Sequence, residues 1–108
     1  MRNETVNQAF LSRARALLHE ALGDRLDGVV LYGSVARGDS SSESDIDLLV
    51  LLKGPINLWD DIQTIIRALY DLQLEIAISI HAMPVRSDEF ESGDYSIYRN
   101  AKAEGIFA

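Results

Sequence analysis

From Ile46 to Leu52 every residue except Asp47 is apolar. A strand with one face in water alternates apolar and polar positions, so a run like this needs cover on both faces. Such a strand sits inside a sheet, with other strands beside it and helices packed over it. Gly28 to Tyr32 is a second apolar run and predicts a partner strand over residues 26–33. Leu74 to Met83 predicts a third, in which Ile76, Ile78 and Ile80 face one way and Glu75, Ala77 and Ser79 the other. Pro84 is expected to end it, because proline cannot donate to a strand ladder.

Helical patterns fill the rest. Val6, Phe10, Ala14, Leu17, Leu18 and Ala21 recur at helical spacing over residues 5–22. Thr5 and Gln8 form a capping box at its start, and Gly23 is the expected stop. Asn57 is the expected cap of a second helix, with Asp60 and Asp61 in the first turn, where the helix dipole favours acids. Leu58, Ile62, Ile65, Ile66 and Leu69 should form its buried face, with Trp59 packed beside them. A capped turn is expected at Ser87–Phe90. A last helix is expected over Ser96–Glu104, with Ile97, Tyr98 and Ala101 turned inward and Gly105 closing it. With no internal repeat or composition break, the expectation is one α/β domain over residues 1–108, a small mixed sheet flanked by helices.

The chemistry lies between the first two strands. Gly33-Ser34 breaks the first strand and opens a tight turn, and Val35 to Arg37 predict one helical turn. Asp45 and Asp47 then stand at the head of the second strand. Residues two apart on a strand point the same way, so the two carboxylates project together while Ile46 and Leu48 enter the core. Paired carboxylates repel each other unless a cation lies between them, and oxygen donors of this kind suit Mg²⁺ with phosphates and water completing the shell. Glycine lets the backbone approach a ligand closely, and a helix start after Ser34 would favour phosphate. A phosphate cradle beside paired aspartates points to metal-assisted phosphoryl or nucleotidyl transfer.

Gly33-Ser34, Arg37-Gly38 and Ser44-Asp45-Ile46-Asp47 resemble the signature of the nucleotidyltransferase superfamily related to DNA polymerase beta. More narrowly they resemble its minimal nucleotidyltransferases, the small antitoxin partners of HEPN-domain toxins. The resemblance implies a nucleotidyltransferase-type fold and transfer of AMP from ATP to a hydroxyl, with two Mg²⁺ ions during transfer. It implies that Asp45 and Asp47 hold metal, and that Gly33, Ser34, Arg37 and Ser44 belong to the nucleotide site. The acceptor it implies is a tyrosine of a HEPN toxin. The family usually carries a third carboxylate on the next strand. Glu75, the only acid in the predicted third strand, is the candidate for that metal-binding and proton-accepting role, and Asp71 the reserve. A binding module that neutralises its partner by docking is the competing reading, and transfer to a small molecule a further one. After three strands little chain remains to build an acceptor pocket, which favours a protein acceptor.

Composition narrows the context. The 108 residues suffice for one modest core, and there is no cysteine for disulfides or thiolate metal sites, as a reducing cytoplasm would allow. No apolar run approaches the ~20 residues of a membrane span. A net charge of −7 argues against general nucleic-acid binding and suits a basic protein partner. A homo-oligomer stays open. His19 and His81 are too far apart in sequence to read as a metal pair. Arg99 and Lys102 are either paired with nearby acids or a phosphate contact.

Overall fold

The computed structural model describes residues 2–33 and 45–108, with side chains from Gln8 onward. Helix α1 spans Arg2–Leu22. Thr5 therefore lies inside the helix and not at its start. The helix buries Leu11, Ala14, Leu18 and Leu22, while Ala21 is exposed. Gly23, at φ 59°, ends α1 and starts a 3-10 turn, Gly23–Arg25.

Four strands follow: β1 Leu26–Tyr32, β2 Ile46–Leu52, β3 Ile80–Arg86 and β4 Ile106–Phe107. They form one mixed sheet in the order β3-β2-β1-β4. β1 pairs antiparallel with both β2 and β4, and β2 pairs parallel with β3. β2 is central and covered on both faces, as its composition requires. On one face Ile46, Leu48, Val50 and Leu52 pack against α1 and against helix α2, Leu58–Glu75. On the other, Leu49 and Leu51 join Val30, Val85, Phe90 and Ala101. The last two come from helices α3, Ser87–Ser92, and α4, Ser96–Glu104.

The predicted third strand is misplaced. Leu74 and Glu75 are the last residues of α2, and β3 begins only at Ile80. Ile76, Ile78 and Ile80 do pack on the core, mostly from the connection into the strand. Pro84 does not end β3 but lies buried within it, opposite Val50. β3 is an edge strand, where a missing N–H costs no ladder bond.

The rotation of α2 also differs. Its buried line is Asp61, Ile65, Leu69 and Leu72, while Leu58, Trp59 and Ile66 face solvent. The cause is a buried acid. Arg25 donates from Nη1 and Nη2 to the Asp61 carboxylate at 2.8 and 3.0 Å, and the Asn57 N–H donates to it at 3.1 Å. The hydrogen-bonded Arg25 holds the Asp61 carboxyl below its usual range. Asn57 caps the helix as expected, accepting from the Asp60 N–H at 3.2 Å. Trp59, at the start of α2, is therefore an exposed residue and not a packed one.

β4 was not foreseen. It seats the chain end on β1 through the Val29 and Ala108 backbones, which exchange hydrogen bonds of 3.0 and 2.9 Å. Gly105 makes this possible: a Cβ there would stand 2.4 Å from the Ala101 carbonyl oxygen and 2.6 Å from Val30 Cγ1. Ile97, expected inside, is exposed, while Ala101 is buried. Arg99 donates to the Gly93 carbonyl at 2.7 Å and Lys102 to the Glu91 carbonyl at 2.8 Å. These two cations fasten α4 to α3 and the turn after it. No described helix is long and apolar enough to cross a membrane.

Candidate active site

Strand register gathers the site at one end of the sheet. Asp47 pairs with Tyr32 on β1 and with His81 on β3. Paired positions on neighbouring strands share a face, so Tyr32, Asp47 and His81 form a row across three strands. That row continues the face that carries Val30, Leu49 and Leu51. Asp45 stands just before β2 and is exposed. The backbone there is held by the Ile46 N–H, which donates to the Ser79 carbonyl at 2.9 Å.

Gly33 closes the row from the β1 side. Its φ is 82°, a left-handed backbone that glycine adopts without strain. A Cβ at this position would stand 2.8 Å from Asp47 Oδ2. Both the turn and the close approach therefore need glycine. Beside it opens a pocket of about 320 Å³, lined also by Tyr32, Ser96, Ile97, Asn100 and Glu104. That volume is at the small end of ligand sites, ~300–1,000 Å³.

The electrostatics are those of an anionic site under tension. Burial pushes the Asp47 carboxyl above its ordinary value; the charge of Asp45 adds to the rise and His81 opposes it. Burial also raises the Tyr32 hydroxyl, helped by the Asp47 charge. Arg25 and Arg13, which neutralise acids elsewhere, are engaged with Asp61 and Glu75. A cation between Asp45 and Asp47 would relieve this repulsion, so the donor set fits Mg²⁺ or a similar divalent ion. Among the described residues no group of three His, Cys, Asp or Glu already converges on one point.

Of the candidate residues, the structure brings together Gly33, Asp45 and Asp47. Ser34, Arg37 and Ser44, with the helical turn expected at Val35–Arg37, lie outside the described residues. Glu75 is not on a strand beside the aspartates. It ends α2, in the helical layer against the face opposite Asp47, and its carboxylate is bound by both guanidinium nitrogens of Arg13 on α1. That bond holds the Glu75 carboxyl below its usual range. The ion pair links α1 to α2. Asp71, in the same helix, is exposed and faces the same arginine. Trp59 sits at the start of α2, which follows the far end of β2, away from Asp45 and Asp47. Two residues went unrecognised in the sequence, Tyr32 and His81. Only strand register identifies them, and a third strand started six residues early hides His81.

Comparison with known proteins gives a consistent picture. The nucleotidyltransferase domain family matches residues 12–106. Two candidate protein adenylyltransferases of Methanocaldococcus jannaschii are similar in sequence. MJ0141 is 46% identical over 59 residues, which span 54% of this chain and 60% of that protein. MJ0604 is 35% identical over 83 residues, 75% of this chain and 76% of that protein. Among solved structures, a candidate nucleotidyltransferase from Sulfolobus solfataricus aligns with a TM-score of 0.59 at 21% identity, over 99% of this chain and 86% of the other. A toxin–antitoxin structure with AMP-PNP aligns with a TM-score of 0.60 at 18% identity, over 89% and 69%.

Proposed function

This chain belongs to the nucleotidyltransferase domain family, and we propose that it moves AMP from ATP to a hydroxyl of a protein acceptor, with Mg²⁺ at Asp45 and Asp47. The observation that carries this reading is the contact of Gly33 with Asp47. A left-handed glycine opens the strand end and leaves room where any side chain would strike the carboxylate. Phosphate oxygens could then approach a cation that the same carboxylates would hold. When bound, the cation supplies charge neutralisation on the phosphates and orients them.

The chain's own residues do the rest. Asp45 and Asp47 would hold the cation, and with it would orient the α-phosphorus toward the acceptor. Gly33 would hold the terminal phosphates together with Ser34, and Arg37 and Ser44 would belong to the same nucleotide site, as the resemblance implies. The pocket beside Gly33 gives room for the nucleoside or the incoming side chain, and Tyr32 walls it. The acceptor oxygen forms a bond to the α-phosphorus as the bond to pyrophosphate breaks. Its proton passes to solvent.

The acceptor we propose is a tyrosine of a HEPN-type toxin, which would make this protein an antitoxin. Support comes from relatives described as protein adenylyltransferases and from the likeness to a toxin–antitoxin structure. Intact-protein mass spectrometry of the partner, co-expressed with this chain, tests it. The parent should add one AMP mass, and Asp45→Asn with Asp47→Asn should add none. A partner that stays unmodified yet is still neutralised would show that docking alone is the activity.

A further inference from the structure

On β3 the residue that faces the aspartates is His81. It is the register partner of Asp47. Its Nε2 lies 3.6 Å from Asp45 Oδ2, with both side chains about half exposed, at 61% and 46%. The separation is too long for a hydrogen bond. Two donors each ~2.1 Å from one cation stand ~3.0–3.4 Å apart. The observed gap is a few tenths longer than that, within the reach of an exposed side chain turning about χ1.

We infer that His81 is the third ligand of the cation site, so that this protein binds a transition divalent ion such as Mn²⁺ through one imidazole nitrogen and two carboxylates. The inference rests on the cation site proposed above. A purely oxygen site prefers Mg²⁺, which makes little use of nitrogen donors. An imidazole adds affinity for first-row transition ions and almost none for Mg²⁺. His81 thus alters which ion the site selects while leaving Asp45 and Asp47 in place.

Electron paramagnetic resonance of the full chain with Mn²⁺ alone reads this directly. The parent should show the echo modulation of a coordinated imidazole nitrogen, changed when its histidines carry ¹⁵N. His81→Ala should lose the modulation and bind Mn²⁺ at least about tenfold more weakly. His81→Asp should regain affinity without the nitrogen signal, and Mg²⁺ should compete better in it than in the parent. His81 is exposed, so these variants should melt like the parent. Mn²⁺ bound in the parent, lost in Asp47→Asn, but without nitrogen modulation, would overturn the role of His81 and keep the aspartate site. Mn²⁺ binding that is absent, or indifferent to Asp47→Asn, would overturn the aspartate site itself, and the inference with it.

Discussion

Asp47 is a charge placed where the fold alone would not want one. Burial and the neighbouring Asp45 raise its carboxyl pKa, so its ionised form is disfavoured in the folded chain. A group raised in this way contributes stability that is fully present below its ordinary value of 3.8 and is lost as pH rises through the raised value. Asp47→Asn should therefore melt at a higher temperature than the parent at pH 7 in divalent-free buffer. The difference should shrink to nothing below pH 3.8. Thermal melts across a pH series with chelator measure it. Asp61 has the opposite sign. Its carboxyl is held low by Arg25, so its contribution is present above the ordinary value and lost as acid protonates it. The buried Asp61 thus supports the helix packing, while the half-buried Asp47 weakens the fold.

At the level of elements, the pocket depends on how α4 and β4 close over β1. Gly105 is the hinge of that closure. Its φ of −76° is ordinary, so the requirement is for space and not for backbone freedom. Gly105→Ala would place a methyl group against the Ala101 carbonyl and Val30. The cost should be about 1–3 kcal/mol, as for other overpacked sites. The loss should be local first. Amide exchange at Val29 and Ala108, which bond each other across β1 and the chain end, should speed up before that of β2. Unchanged protection at Ala108 would mean that β4 tolerates the methyl group and that α4 is seated by other contacts. The fully buried Phe90, with Tyr98 and Phe107 around it, is the element that would supply them.

For the whole molecule, the site joins three strands: Gly33 ends β1, Asp45 and Asp47 open β2, and His81 begins β3. A ligand that binds there ties the centre of the sheet together and binds only the folded chain. At one hundred times its dissociation constant such a ligand stabilises by about 2.7 kcal/mol. For a chain of this size that is a rise of about ten degrees or more in Tm. Mg²⁺ with ATP should produce the rise, and Asp45→Asn with Asp47→Asn should abolish it. Equal shifts in parent and variant would place nucleotide binding elsewhere.

Local signals were sufficient for several roles that depend on a residue's own neighbours in sequence, though not for the helix start expected at Thr5 or the strand end expected at Pro84. The apolar run of β2 called for cover on both faces. Asn57 marked the start of α2, Gly23 the end of α1, and the two-residue spacing of Asp45 and Asp47 put their carboxylates at one strand end. Where a role depends on contacts between distant segments, the same reasoning had nothing to read. The rotation of α2 was decided by Arg25, 36 residues from Asp61, which drew an acid inward and left Leu58 and Ile66 outside. Glu75 looked like a strand acid because an alternating pattern continued past the true helix end, and its actual partner, Arg13, lies on another helix. His81 became a site residue only once β3 was aligned with β2. One shift of register by a single residue would turn it to the other face. Periodicity determines which residues can face together; only packing between elements decides which of them meet.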